Sequence, residues 1–233
     1  MKYMGSKNRI AKHILPIMLA ERKPNQTWVE PFVGGANIID KVTGPRIGAD
    51  ANIHLIQALI AIRDNLTELP KNNKEFTEQD YKNINNYKYK GYAGFAFSFG
   101  AKWMCGWRRD KDNKRDYVKE AYKNAAKQSP ALQNVKLIHT SYTELNIPNN
   151  SIIYCDPPYQ GTKKYNTKDF WHHGFWEWCR QKAQNHTLYI SEYNAPKDFT
   201  CIWEKEIVSS LTKNTGSKTG IERLFKYTGG YKC

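Results

Sequence analysis

The sequence predicts an α/β fold in which short strands alternate with helices. Apolar or β-branched runs of four to six residues recur along the chain, and helical or turn-rich stretches separate them. The chain has 233 residues, 40% of them hydrophobic, which is enough for a full-sized core. Its longest nearly apolar stretch, residues 53–62, is interrupted by His54 and Gln57 and is far shorter than the ~20 residues that cross a bilayer. We therefore expect a globular protein with no membrane partner.

The individual elements follow from the apolar runs and from helix signals. The five runs at residues 28–32, 46–49, 135–140, 151–155 and 186–191 predict strands. Two further runs, 201–208 and 222–227, predict an antiparallel hairpin at one edge of the sheet. Ser6 is a candidate N-cap of a first helix, in which Pro16 predicts a kink or an early stop. Residues 52–63 predict the second clear helix.

Charge and aromatic residues are concentrated in one segment. The chain carries 36 Lys and Arg against 22 Asp and Glu, a net charge of +14, and half of this excess lies within residues 71–128 together with 12 of the 31 aromatic residues. Cations bind phosphates and flat rings stack on bases, so this interleaving favours DNA as partner. The alternative is a small aromatic core with a solvated basic rim, to which we assign Phe95, Phe97 and Phe99 because they alternate with the period of a strand. The residues predicted to contact DNA are Lys102, Trp103, Arg108, Arg109, Lys111, Lys114 and Arg115.

A pair of glycines follows the first predicted strand and is predicted to open a helix. Gly34 and Gly35 allow the backbone to approach a ligand where a Cβ atom would collide with it. Asp50 ends the next strand, where a carboxylate is placed to accept both hydroxyls of a ribose. The pattern is that of a nucleoside pocket, although a plain tight turn also uses glycine. An NAD site is disfavoured because Ala36 and Ile39 stand where its glycine pattern requires glycines.

The strongest local signal is Asp156-Pro157-Pro158-Tyr159, directly after the predicted strand 151–155. The two prolines end the strand and make a rigid loop of hydrogen-bond acceptors. The Asp156 carboxylate and the Pro157 carbonyl are each able to accept one hydrogen from an exocyclic amine, and Tyr159 offers a ring on which a flipped base stacks. The alternative is a simple tight turn. The carboxyl ends of parallel strands are where open α/β sheets bind ligands, which favours the functional interpretation.

Four motifs, in this order and spacing, resemble the Dam-type DNA adenine-N6 methyltransferases, particularly bacteriophage-encoded members. The motifs are residues 2–7 (KYMGSK), residues 30–35 (EPFVGG), Asp50 and residues 156–159 (DPPY). The resemblance implies a Rossmann-like sheet that uses S-adenosylmethionine as methyl donor and double-stranded DNA as acceptor. It also implies a catalytic domain formed by residues 1–66 and 130–233. Residues 67–129 would be an inserted, small, mainly helical or irregular target recognition domain.

The resemblance also assigns roles to single residues. Asp156, Pro157, Pro158 and Tyr159 would be catalytic. The cofactor would be held by Tyr3, Lys7, Phe32, Gly34, Gly35, Asp50, Ser141, Tyr142 and Asp156, with Lys7 at its methionine end and Ser141 and Tyr142 beside its adenine. Two positions depart from the family pattern, since Ala36 stands for glycine and Ser141 for aspartate.

Two alternatives remain open from the sequence: a cytosine-N4 methyltransferase, and a catalytically silent DNA-binding module on the same fold. No metal is expected, because His172, His173 and Cys179 lack a matching ligand pair. The five cysteines are widely spaced and the first residues lack an apolar signal segment, which favours the cytoplasm of a prokaryotic or phage-infected cell. We expect a monomer or a weak dimer.

Overall fold

A seven-stranded sheet forms the centre of the computed structural model, which describes residues 1–110, 112, 114–160, 170–208 and 219–229. The strands are β1 (Trp28–Glu30), β2 (Arg46–Asp50), β3 (Val135–His139), β4 (Ile152–Cys155), β5 (Thr187–Glu192), β6 (Phe199–Val208) and β7 (Thr219–Tyr227). Their order is β3-β2-β1-β4-β5-β7-β6. The first five strands run parallel, while β7 is antiparallel to both β5 and β6. This doubly wound order confirms the predicted Rossmann-like α/β class and its edge hairpin.

The helices lie along the chain between these strands. They are α1 (Ala11–Ala20), α2 (Ile53–Asp64), α3 (Glu78–Lys82), α4 (Lys90–Ala96), α5 (Tyr117–Leu132) and α6 (His172–Ala183). Asn52 caps α2 by accepting from the N–H groups of His54 and Leu55. Ser6 caps a short 3-10 turn that precedes α1 rather than the α-helix itself. The early stop predicted at Pro16 is wrong, since α1 continues through that residue to Ala20.

Both faces of the sheet are buried because helices cover them. Trp28 and Tyr154 point to the face covered by α1 and α2, and their neighbours Val29 and Ile153 point to the face covered by α6. Such strands read as continuous apolar runs, which is why the sequence revealed them clearly. Cys155 is also fully buried on β4. Among the described residues, no helix is long and apolar enough to cross a membrane.

Two local predictions are wrong. The glycine turn does not open a full helix but leads only to the 3-10 turn Ile39–Lys41. Phe95 lies on α4 and not on a strand, because residues 90–96 are helical and glycines 91 and 94 allow close packing against α2 and Trp103. Phe95 and Phe97 are buried as expected, but Phe99 is 66% exposed.

The predicted recognition segment, residues 67–129, shares its core with the rest of the chain. Its buried Phe76, Tyr92 and Val118 belong to the same cluster as the sheet residue Trp28. The helix α5 begins inside this segment and ends beyond it, at Leu132. The division of the chain into two domains stays a prediction.

Candidate functional site

The carboxyl ends of four parallel strands bring the predicted site residues to one edge of the sheet. Phe32 follows β1, Asp50 ends β2, Tyr142 follows β3 and Asp156 follows β4. Since these strands are neighbours in the sheet, residues from four distant parts of the sequence become adjacent. This is the edge at which open α/β sheets hold ligands.

The glycine turn after β1 is a tight cradle. The backbone of Gly34 has φ +51°, and its N–H donates to Oδ2 of Asp50 at 3.2 Å. A Cβ atom on Gly35 would lie 2.7 Å from Cβ of Tyr3 and 2.6 Å from Nδ2 of Asn37, so no side chain fits there. Ala36, the departure from the family pattern, is buried at φ +56°, a conformation that favours glycine. Glycine is therefore required at position 35 by packing against Tyr3 and Asn37, and it is favoured at position 34 by the positive φ.

One side chain from α5 braces this turn. Gln128 is buried, and its amide nitrogen lies 3.0 Å from the carbonyl oxygen of Gly35, 3.1 Å from that of Ala36 and 3.0 Å from Oδ2 of Asp40. A buried carbonyl left without a donor costs about 1–3 kcal/mol, so Gln128 contributes to the shape of the turn. Sequence reasoning missed it because no local pattern connects residue 128 to residue 35.

Asp50 is held for hydrogen bonding at the end of β2. Its Oδ1 accepts from the N–H of Asn52 at 2.9 Å, while Oδ2 accepts from Gly34. Burial raises the pKa of Asp50 to about 6, although these backbone hydrogen bonds and the nearby His139 act to lower it. A carboxylate has about four lone-pair sites, so two of them remain for ribose hydroxyls.

An aromatic wall stands beside the turn. The rings of Phe32 and Tyr142 lie 5.2 Å apart between centroids, and Phe170 and Phe175 pack on both. Ser141 is tied into its own turn, since its hydroxyl lies 2.8 Å from that of Thr143. Flat apolar surface of this kind suits a purine ring. The structure thus gathers the predicted cofactor residues Phe32, Ser141 and Tyr142 around the same edge.

The loop at residues 156–159, which the sequence predicts to be catalytic, is built around an ion pair. Nζ of Lys7 lies 3.0 Å from Oδ1 of Asp156, and the Lys7 side chain is only 8% exposed. Burial raises the pKa of Asp156, while the Lys7 ammonium opposes this rise. Lys7 also lies 4.4 Å from the centroid of the Tyr159 ring. A carboxylate at the end of β4 is thereby kept in a fixed position by a buried cation.

Three acidic residues near this loop were missed by sequence reasoning. Glu222 on β7 accepts from the hydroxyl of Tyr159 at 2.9 Å. Glu192, 2% exposed at the end of β5, accepts from the N–H of Gln160 at 2.7 Å. Glu30 is also buried, and burial raises its pKa well above the usual range. Glu192 carried a usable signal, its place directly after a predicted parallel strand, and Glu30 stands in the motif of residues 30–35 although no role was assigned to it.

The predicted DNA-contacting residues fall into three groups. Lys102 and Lys114 are exposed. The three arginines have partners, since Arg109 pairs with Glu78, Arg115 with Glu120, and Arg108 lies 3.9 Å above the ring of Tyr117. Trp103 is half-buried against the core, stacked on His54 at 4.1 Å and against Phe95 at 5.0 Å. Lys111 lies outside the described residues.

Comparison with known proteins identifies the family. The model of the D12 class N6 adenine-specific DNA methyltransferases matches residues 3–121 and 103–199. A curated relative, the type II methyltransferase M.FokI of Planomicrobium okeanokoites, is 23% identical over an alignment of 210 residues, which covers 77% of this chain and 31% of that enzyme. The chain thus spans about a third of the length of this relative.

Similar solved structures include two methyltransferases. The tRNA (m1A58) methyltransferase TrmI of Aquifex aeolicus has a TM-score of 0.43 and 6% identity, with 97% of this chain and 70% of that chain covered. The human methyltransferase 10 domain containing protein has a TM-score of 0.39 and 6% identity, with 97% and 84% covered.

The chain belongs to the D12 class N6 adenine-specific DNA methyltransferase family. This confirms the resemblance drawn from the four motifs and the class of methyl donor, S-adenosylmethionine. The family is described as adenine-specific, which favours adenine over cytosine as the target base. Within the described ranges, no group of three or more His, Cys, Asp or Glu side chains is arranged to hold a metal ion.

Proposed function

We propose that this chain transfers a methyl group to the N6 amine of an adenine that has been flipped out of double-stranded DNA. The observation that carries the proposal is the position of Asp156. It follows β4 beside the glycine turn, held by Lys7 and followed by two prolines and Tyr159. A fixed acceptor beside a nucleoside cradle is what transfer to an exocyclic amine requires.

The residues of the cradle fit S-adenosylmethionine. Gly34 and Gly35 would admit it closely, Asp50 would accept the ribose hydroxyls, and Phe32 and Tyr142 would flank its adenine. The bound cofactor supplies an electrophilic methyl group on a sulfonium. The role of Lys7 toward the cofactor carboxylate stays a prediction, because its ammonium lies on Asp156.

The catalytic loop would receive the target base. The Asp156 carboxylate and the Pro157 carbonyl would accept the two amine hydrogens, which directs the nitrogen lone pair away from the ring. Tyr159 would stack on the base, and Pro158 would keep the loop rigid. The protein mainly supplies alignment, which is worth about 7–11 kcal/mol in well-oriented reactions.

Sequencing of modified bases tests this function directly. DNA from cells that express the chain is expected to carry N6-methyladenine at one recurring sequence, and DNA from cells that express Asp156→Ala is not. N4-methylcytosine, or an unmodified genome despite folded protein, would contradict the proposal. The second result would favour the silent DNA-binding module.

Cofactor binding is expected to weaken in acid because Asp50 must be ionised to accept both ribose hydroxyls. With its pKa at about 6, the ionised fraction falls between pH 7 and pH 5, so the affinity for S-adenosylmethionine should fall about tenfold. Isothermal titration calorimetry across this range measures the effect. Asp50→Asn should bind weakly at both pH values, and an equally steep profile in that variant would assign the titration to another group.

DNA binding is expected to depend on the exposed lysines more than on the paired arginines. Replacing Lys102 or Lys114 by alanine should weaken binding to the same extent for all DNA sequences. Each change should also reduce the magnitude of the slope of log K against log salt concentration by about 1. Arg109→Ala is the matched control, because Glu78 already neutralises this charge. Fluorescence anisotropy with a labelled duplex at several salt concentrations gives the slopes. Equal slopes for all three variants and the wild type would place the DNA elsewhere.

A further inference from the structure

We propose that Glu222 is a positioning residue that takes the hydroxyl hydrogen of Tyr159 and thereby keeps Asp156 available for the target amine. The inference rests on the proposed function, which makes Asp156 the acceptor and Tyr159 the stacking ring. It adds a residue that neither the sequence motifs nor the catalytic loop contains.

Glu222 reaches the loop from the antiparallel part of the sheet. It lies on β7, which pairs with β5 so that Arg223 is opposite Glu192. Its side chain is 19% exposed, and its Oε2 accepts from the Tyr159 hydroxyl at 2.9 Å and lies 3.7 Å from Nζ of Lys7. The Lys7 ammonium therefore lies between two carboxylates, nearer to Asp156 at 3.0 Å.

A second carboxylate lies near Tyr159. Nζ of Lys7 is 4.4 Å from the centroid of the Tyr159 ring, 3.0 Å from Oδ1 of Asp156 and 3.7 Å from Oε2 of Glu222, so both acidic groups lie around the same ammonium and ring. A phenol has only one hydrogen to donate. In this structure that hydrogen goes to Glu222. The ring is further fixed by Tyr193, which packs edge-to-face against it at 4.7 Å.

Loss of Glu222 would redirect this hydrogen. The Tyr159 hydroxyl would then donate to Asp156 and occupy an acceptor that the amine of the base needs. Lys7 would lose one of its two carboxylate partners and keep Asp156. Phenylalanine at position 159 keeps a stacking ring but has no hydroxyl, so it removes this competition.

A double-mutant cycle tests the proposal. Glu222→Ala should lower kcat for methylation of adenine-containing duplex DNA by roughly tenfold. The Tyr159 hydroxyl loses its hydrogen bond to the Glu222 carboxylate and donates to Asp156 instead. The KM for S-adenosylmethionine should stay within about twofold, since Glu222 lies on the side of the target base. Glu222→Gln retains an acceptor oxygen and should recover most of kcat. Adding Tyr159→Phe to Glu222→Ala should raise kcat, whereas Tyr159→Phe alone should not.

Controls separate this role from a general effect on folding. Glu206→Gln removes an exposed carboxylate from the neighbouring strand β6 and should leave kcat unchanged. The effect of Tyr159→Phe is measured by comparing the double variant with Glu222→Ala. Poorer folding of Glu222→Ala would lower kcat in both proteins, so it cannot explain a higher kcat in the double variant. The proposal is overturned if the double variant is as slow as, or slower than, Glu222→Ala. A wild-type chain that methylates no adenine would instead overturn the proposed function.

Discussion

Replacing Asp156 by alanine should reduce methylation by about 10³-fold, the effect of removing a preorganised polar partner of the reacting group. The carboxylate is the proposed acceptor of a hydrogen from the target amine. The fold should tolerate the change, because the Lys7 ammonium keeps Glu222 as a partner at 3.7 Å. DNA binding should be nearly intact, since the exposed lysines of residues 67–129 are untouched.

Two assays on the same preparations measure these effects. Incorporation of a labelled methyl group into duplex DNA reports turnover, and a mobility shift reports DNA binding. Asp156→Asn is the matched variant, because it keeps the shape and one acceptor oxygen but loses the charge that pairs with Lys7. Near wild-type turnover in Asp156→Ala would remove this residue from the chemistry.

Replacing Gly35 by alanine should abolish cofactor binding and destabilise the fold by about 1–3 kcal/mol. The added Cβ would approach Cβ of Tyr3 to 2.7 Å and Nδ2 of Asn37 to 2.6 Å. Since Gln128 holds the Gly35 carbonyl at 3.0 Å, the backbone has little freedom to move away. Calorimetric titration with S-adenosylmethionine and urea denaturation measure the two effects.

Gly220 on β7 provides the matched control for this substitution. A Cβ atom there meets nothing within 4 Å, so Gly220→Ala should change stability by less than about 0.5 kcal/mol. If Gly35→Ala behaved like Gly220→Ala, the glycine turn would not be the tight cradle described.

The sequence revealed the sheet because its physical signals are local. The central parallel strands β1, β4 and β5 are buried on both faces and therefore appear as largely apolar runs, and the strand from Trp28 ends where Pro31 cannot donate to a neighbour. The same locality explains the failures. Phe95 alternates with its neighbours as a strand residue would, but glycines on α4 let a helix pack closely there. Tertiary packing decided between two structures that the local pattern allowed.

The candidate site was predictable only in part for the same reason. Asp50 and Asp156 follow strands, so their meeting at one edge of the sheet follows from the fold class. The partners that set their charge and orientation come from elsewhere in the chain. Lys7 precedes Asp156 by 149 positions and Glu222 follows it by 66, and no spacing rule connects such residues. Only the folded structure shows that these residues are in contact.

The brace from Gln128 bears on how this enzyme family can be re-engineered. A transplant of the predicted recognition segment that replaced residues 67–129 would cut α5 internally and exchange the amide that holds the glycine turn. A graft that ends before Tyr117 would leave the helix and its amide native. A downstream junction at the start of α5 would therefore allow the predicted recognition segment to be exchanged while Gln128 still holds the glycine turn.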